Sequence, residues 1–490
     1  MNNFSLDKLG NEFLYQPDAP MLFGSGLFLF LFIGFLMMYM LLRKHRTARL
    51  VYVALFSLFF YYKSSGLWFF LLIGTAVSDF LIGRRLSLTT SKPLRRLLVT
   101  LSLCVNLGML VYFKYFNFLI NLFFHGQTSD IFLPVGISFF TFQSLSYIIE
   151  IYRRRIEPVY RWIDYLFYVS FFPQLVAGPI VRAREFIPQI YPPPSLTRAQ
   201  LGEGLFLVIC GLIKKAVISD YISLNFVDRI FDAPRLYTGL ENLMGVYGYA
   251  LQIYCDFSGY SDMAIGIALL LGFRFRINFD SPYQSATITE FWRRWHISLS
   301  SWLKDFLYIS LGGNRKGKIR MYINLMITML LGGLWHGASL RFLLWGALHG
   351  LFLAVHKFVM ERFGSFKPTG KEMNPLRHIS GVLITFHLVC FGWIFFRASS
   401  MQVAWDILTQ ITRHFHPEVF GQFVAGYKNV FLLMLAGYLF HFIPKRMEAG
   451  IQGLVTRSPL LLQALLLAAV IFLVVQMKSA GVQPFIYFRF

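Results

Sequence analysis

Apolar runs long enough to span a bilayer, separated by short basic clusters, dominate this sequence. The first occupies 21–42 (MLFGSGLFLFLFIGFLMMYMLL) and is followed at once by Arg43, Lys44, Arg46 and Arg49. About 20 apolar residues suffice to carry a helix across the hydrocarbon of a membrane. Further runs fill 50–62, 67–83, 97–124, 131–152, 163–181, 201–218, 241–272, 321–357, 379–396, 428–443 and 459–477. The pattern predicts an all-α polytopic membrane protein with about a dozen transmembrane or re-entrant helices. Composition closes the alternatives. Of the 490 residues 56% are hydrophobic and only 14% charged, against about a quarter charged in soluble domains. Such a chain cannot cover a water-facing surface, and it is too hydrophobic to stay disordered.

The net charge of +22 comes from 46 basic and 24 acidic residues. The basic residues fall between the apolar runs, at 43–49, 84–96, 153–155 and 315–320. That is the distribution of cytoplasmic loops, which also meet anionic lipid head groups. No basic groove interleaved with stacking aromatics stands apart from the runs, so nucleic acid is not an expected partner. By the same rule the N-terminus is predicted outside, the 43–49 loop in the cytoplasm, and the tail 478–490 outside. The first run has no basic segment before it and no small-residue cleavage site after it, so it does not read as a signal peptide. The expected organisation is a polar N-terminal extension (1–20), one membrane domain (21–477) and a C-terminal aromatic tail (478–490). Pro134, Pro173 and Pro179 interrupt two runs, which fits either a binding cavity or kinked structural helices. Cys104, Cys210, Cys255 and Cys390 all lie in apolar stretches and form no CxxC, so they read as small buried hydrophobes.

The stretch 252–314 departs from this pattern. It places Asp256, Asp262, Arg274, Arg276, Asp280, Glu290, Arg293, Arg294, His296, Lys304 and Asp305 among aromatics and aliphatics. An ionised side chain at the bilayer centre costs about 2.5–3.5 kcal/mol on insertion scales, so such groups pair or face a cavity. An internal polar network is expected, serving either mutual neutralisation or a substrate. Drawn as one amphipathic helix, Glu290–Leu303 puts Arg293, His296 and Ser300 on a shared face. There His296 either bonds a substrate or braces a neighbouring helix.

His336 sits in LLGGLWHGAS, inside the apolar run 321–357, with Gly332, Gly333 and Gly337 around it. Glycine admits close approach of other backbone or of a ligand. A neutral imidazole is tolerable at membrane depth and can take a proton from a hydroxyl. A lone buried histidine is also commonly a core residue, and both readings stand at this point. The histidines and cysteines show no metal-ligand spacing, and nucleotide-binding and hydrolase motifs are absent.

The segments QIYCDFSGYSDMAIG (252–266), NFDSPYQSATITEFWRRWHISLSSWLKDFLYISLGGNRKG (278–317) and LLGGLWHGASLRFLLWGALHG (330–350) resemble the membrane-bound O-acyltransferase (MBOAT) family. The similarity is to its bacterial branch, which contains the alginate O-acetyltransferase membrane subunit and the teichoic-acid D-alanyl transfer protein. FFPQLVAGPIVRAREFIPQI (171–190) and MLFGSGLFLFLF (21–32) also resemble that branch. The chain departs from it in residues 1–20 and in Leu340-Arg341, where Trp-Thr is expected.

The resemblance implies an MBOAT-type core with a central tunnel, His336 as the catalytic histidine and His296 as a second one. It implies an O-acetyltransferase that moves an acetyl group from cytoplasmic acetyl-CoA across a bacterial inner membrane to an exported or cell-envelope polysaccharide. No cofactor is bound in this scheme; acetyl-CoA is a substrate. A periplasmic or surface SGNH-type acyltransferase partner finishes the transfer. Arg293 and Arg294, with Lys316 or Lys318, are expected to attract the CoA phosphates, though ordinary lipid-facing or loop charge explains them as well, and Trp335 and Ser300 are expected to contact substrate. Tyr487, in the terminal PFIYFRF, resembles the acyl-shuttle tail of a small protein of the D-alanylation system; an interfacial aromatic anchor explains it as well. The rival class is a transporter or flippase of a lipid-linked glycan, supported by polytopy and intramembrane charge alone.

Overall fold

The computed structural model describes residues 6–17, 19–124, 126, 129–363, 374–477 and 485–486. Among these residues the secondary structure is helical throughout, with no strand. Six helical stretches are long and apolar enough to cross a membrane: Gly26–Lys44, Arg46–Leu88, Lys92–Phe124, Leu340–Phe363, Pro375–Arg397 and Leu460–Met477. The bent pair Pro417–Gly426 and Lys428–His441 makes a seventh if it is taken as one span. The protein is thus an all-α, multi-pass membrane protein. Its contacts fall into two compact units that interleave along the sequence.

The first unit contains the chain up to residue 208 together with Tyr260–Arg276. Its helix α1 (Gly26–Leu41) starts where Ser25 accepts a hydrogen bond from the Phe28 amide at 3.2 Å. This satisfies one of the amides a helix start leaves open. Helices α2 (Arg46–Ser65), α3 (Phe69–Leu88), α4 (Lys92–Leu110) and α5 (Ile137–Tyr152) follow. The rings of Phe23, Phe28, Phe32, Phe35, Phe56 and Phe60 all lie within 6.4 Å of the ring of Phe172. That cluster uses the chain's phenylalanine content as packing in a region where area burial from water supplies little driving force. Fully buried Asp79 on α3 accepts from Ser102 Oγ at 2.6 Å and from Asn106 Nδ2 at 3.0 Å, both on α4.

The basic clusters are not simply loop charge. Arg49 is buried and donates to the carbonyls of Arg43 and Ile190, at 3.1 and 3.3 Å. Arg46 pairs with Asp164 at 2.9 Å. Buried Arg95 donates to Leu86 near the end of α3 and to Tyr152 at the end of α5, at 2.5 and 2.7 Å. The planar guanidinium suits this work, since its fixed fork of donors serves two sets of end-of-helix carbonyls at once.

The second unit contains Ile209–Gly259, residues 277–477 and Phe485–Ile486. The residues of helix α6 (Gly239–Leu270) up to Gly259 belong to it. Short helices α7 (Ile288–Arg294) and α8 (Ile297–Trp302) precede three long ones: α9 (Lys318–His336), α10 (Leu340–Phe363) and α11 (Pro375–Arg397). The single apolar run at 321–357 is therefore two helices, broken immediately after His336, where Gly337 takes an extended conformation. The two helices pack through glycine. A side chain at Gly333 would sit 3.2 Å from the Gly346 Cα, and one at Gly346 would sit 3.2 Å from the Leu330 Cα. Small residues at a crossing let backbones come close, and van der Waals packing then holds the pair. Of the cysteines, Cys255 and Cys390 are buried as expected, but Cys104 is exposed. It lies on an outward face of α4, where an apolar residue suits lipid.

Candidate active site

His336 ends α9 and is 3% exposed. Its imidazole lies edge-on among three aromatic rings: Trp335 at 5.0 Å, Trp345 of α10 at 5.0 Å and Phe396 of α11 at 5.2 Å. The hairpin of α9 and α10 brings Trp345 against His336. α11 is tied in through Arg341, which donates to the carbonyls of Phe396 and Ala398. The residue at which the sequence departs from its look-alikes therefore holds the backbone of a ring that touches His336.

His296 is fully buried and adopts φ +44°, left-handed backbone that costs a non-glycine residue on the order of 1 kcal/mol. The cause is the preceding segment. Asn278 accepts the Ile297 amide on its carbonyl at 2.9 Å, and Asp280 donates its amide to the Arg294 carbonyl at 3.0 Å. The chain turns at His296 to keep both bonds. The helix expected across Glu290–Leu303 is accordingly interrupted at Trp295–His296, and the face shared by Arg293, His296 and Ser300 does not exist.

The same asparagine fixes the histidine's tautomer. Asn278 Oδ1 accepts from the Ser298 amide at 3.2 Å and from Ser298 Oγ at 3.0 Å. A backbone N–H can only donate, so the atom it meets is the oxygen. His296 Nδ1, 3.2 Å from that oxygen, must then carry the proton. The lone pair is left on Nε2, which is buried and has no hydrogen-bond partner among the described residues. Trp335 joins the two histidines, its ring 5.8 Å from His296 and 5.0 Å from His336.

The acidic and basic residues of 252–314 find most of their partners elsewhere. Asp256 pairs with Lys215 at 2.5 Å, and that ammonium also reaches Asp220 at 2.7 Å. Lys215 lies in a π-helical stretch, Ile213–Ser219. Asp280 pairs with Lys445 at 2.8 Å. Within the stretch, Glu290 pairs with Arg294 at 2.7 Å. The second carboxylate oxygen of Asp256 accepts the amide of Ile486 at 2.9 Å. Phe485 is fully buried with its ring 5.4 Å from Phe257, which in turn lies 4.5 Å from His296.

The structure thus gathers His336, His296 and Trp335, and leaves the other expected site residues apart. Ser300 donates to the Trp295 carbonyl at 3.1 Å, Arg294 is committed to Glu290, and Arg293 is exposed. Tyr487 lies outside the described residues. Sequence reasoning missed Asn278, Trp345, Phe257 and Phe396. Asn278 alone left a trace, as a polar residue beside the charged run; the three rings look like any other apolar residue of a membrane helix.

Residues 154–401 match MBOAT, the membrane-bound O-acyltransferase family. The chain belongs to that family. A probable alginate O-acetylase from Pseudomonas aeruginosa is 41% identical over 397 residues, covering 79% of this chain and 74% of the relative. A peptidoglycan O-acetyltransferase from Helicobacter pylori is 36% identical over 423 residues, covering 79% of each. A teichoic acid D-alanyltransferase from Bacillus subtilis is 28% identical over 275 residues, covering 54% of this chain and 68% of the relative. The protein is an acyltransferase, and the family match encloses Asn278, His296, Trp335, His336 and Trp345.

Proposed function

We propose that this MBOAT protein takes an acetyl group from acetyl-CoA on the cytoplasmic side of a bacterial inner membrane and passes it on for O-acetylation of an exported or cell-envelope polysaccharide. The relatives named for alginate and peptidoglycan O-acetylation support the acyl group and the polysaccharide class. The observation that carries the reading is the pair of buried imidazoles sharing one indole. Only the small acyl group then has to traverse the protein, while the polyanionic CoA and the polymer stay on their own sides.

In this scheme His336 is the general base. It takes the proton of the acceptor hydroxyl as that oxygen attacks the thioester carbonyl, and returns it to the departing thiolate. His296, held with its lone pair on Nε2, accepts a hydrogen bond from a donor on the substrate and orients it. Tyr487 is proposed as the first acceptor, carrying the acetyl group as a phenyl ester to an external SGNH-type partner. The seating of its neighbour Ile486 on Asp256, and of Phe485 beside Phe257, supports that role.

Purified protein given labelled acetyl-CoA tests the proposal. Wild type should release CoA and become labelled, and His336→Ala should do neither. Turnover that survives His336→Ala removes His336 as the base. Tyr487→Phe should neither release CoA by transfer nor retain label, and normal polymer acetylation by that variant in cells removes the shuttle.

A further inference from the structure

A cavity of about 200 Å³ opens in the first unit where three of its elements end together. One wall is the last turn of α1, with Tyr39 and Met40, continued by Arg43 in the tight turn Leu42–Lys44. The second is the turn at Pro194 and Leu196, and the third is the end of α6 at Leu270 and Gly272. Two buried side chains fix these walls to one another. Tyr39 donates to the Leu271 carbonyl at 2.5 Å, which ties α1 to the end of α6. Arg49 donates to the Arg43 carbonyl at 3.1 Å and to the Ile190 and Pro192 carbonyls at 3.3 and 3.5 Å, which ties the end of α1 to the segment leading into Pro194. Gly272 stands at φ +85°, and a Cβ on it would lie 3.1 Å from Pro194, so glycine lets that turn close against α6. The fold thus sets the space, which is several times the roughly 30 Å³ that one water takes up in the liquid.

The side chains around it are apolar except at one point. Tyr39 has spent its proton on Leu271, and Met40, Pro194, Leu196 and Leu270 have none to give. The remaining donor is the guanidinium of Arg43. The other arginines of the cluster 43–49 are engaged, Arg46 on Asp164 and Arg49 on the backbone carbonyls. Arg43 is exposed, and among the described residues no ion pair or hydrogen bond holds its guanidinium. An open fork of N–H donors beside an apolar hollow suits a phosphate that carries hydrocarbon. The hollow also continues outward. Phe30, Ile33, Met37 and Met40 recur at helical spacing on α1 and are all exposed, so an apolar stripe runs along the helix to the cavity. The basic cluster marks this end of α1 as the cytoplasmic one, where the leaflet is rich in anionic lipid.

We propose that the cavity seats the head group of an anionic phospholipid of the cytoplasmic leaflet. Arg43 holds the phosphate, the glycerol lies between Leu196 and Leu270, and one acyl chain follows the stripe from Met40 towards Phe30. The reading is independent of the chemistry at His336.

The test uses the full chain in detergent, titrated with phosphatidylglycerol or phosphatidylcholine and followed by native mass spectrometry and thermal unfolding. Wild type should take up phosphatidylglycerol saturably and gain in Tm, and phosphatidylcholine should do neither. Arg43→Gln should weaken the apparent affinity about tenfold, the lower end of what a hydrogen bond to a charged group is worth. Lys44→Gln removes the neighbouring charge, which does not line the cavity, and should bind as wild type. Leu196→Trp fills the hollow with Arg43 intact and should also lose the lipid. Inorganic phosphate and CoA are tested in place of lipid, and neither should raise Tm. Equal weakening in Arg43→Gln and Lys44→Gln reduces the effect to the general attraction of a basic cluster and overturns the site. Undiminished binding by Leu196→Trp overturns it as well. A rise in Tm with phosphate or CoA that Arg43→Gln abolishes makes the ligand a soluble phosphate and overturns the lipid assignment.

Discussion

Gly259→Ala is the sharpest test of how closely the second unit is packed. A Cβ at Gly259 would lie 2.8 Å from the carbonyl oxygen of Gly211 and 3.0 Å from the backbone nitrogen of Lys215. Ordinary contact begins at 3.4 Å, so the methyl group overlaps backbone by about 0.6 Å. Backbone cannot swing aside as a side chain does, and α6 must move away from the Gly211–Lys215 segment. The same displacement stretches the 2.5 Å bond from Lys215 to Asp256, which lies one turn earlier on α6. Overpacking of this kind costs about 1–3 kcal/mol. For a unit of some 250 residues that is a fall in Tm of about 2–6 °C. Gly450→Ala is the matched control, because its methyl group meets nothing within 4 Å. It removes a helix-interior glycine and should gain about 0.5–1 kcal/mol. Thermal unfolding of both variants in one detergent, with acetyl-CoA turnover alongside, decides the matter. If Gly259→Ala melts with or above Gly450→Ala, the argument from close backbone approach is wrong.

Three further outcomes are expected. Asn278→Ala should weaken the tautomer preference of His296 by about 1 kcal/mol, the worth of one hydrogen bond; ¹⁵N spectra of ring-labelled histidine should show a second tautomer, and turnover should fall about fivefold. Asp256→Asn and Lys215→Met should each destabilise the second unit. The double variant should be less damaging than the two effects added, since each single change strands a buried partner; an additive result refutes the coupling. Asp406, on the exposed helix Met401–Arg413, is held below the usual carboxylate range by its hydrogen bond from Arg235 at 2.8 Å. A depressed carboxylate contributes stability above its ordinary pKa of about 4 and loses it as pH falls through the folded value. The Tm gap between wild type and Arg235→Gln, small because the pair is exposed, should close on acidification, and a gap that widens contradicts the assignment.

The all-helical, multi-pass character was legible because lipid imposes a simple rule on length and polarity. His296 and His336 stood out because polar residues at membrane depth are scarce, and their motifs resembled a known family. Their partners were hidden for a physical reason. Trp345 and Phe396 come from neighbouring helices, and no local periodicity says which apolar ring faces an imidazole. The break at Trp295–His296 was illegible because Asn278, far back in the chain, imposes it against the helical pattern of the segment itself. The arginines misled in the other direction. Arg49 and Arg95 carry the signature of loop charge, yet they cap helix ends inside the first unit.

The bond from the Ile486 amide to Asp256 spans 230 positions of sequence. Ribosomal synthesis therefore delivers the residues that cover Phe257 after every histidine of the site has already emerged. Closing so distant a contact belongs to the last stage of folding. A nascent chain engaged with the insertion machinery would hold its imidazoles without this cover until Phe485 and Ile486 had followed.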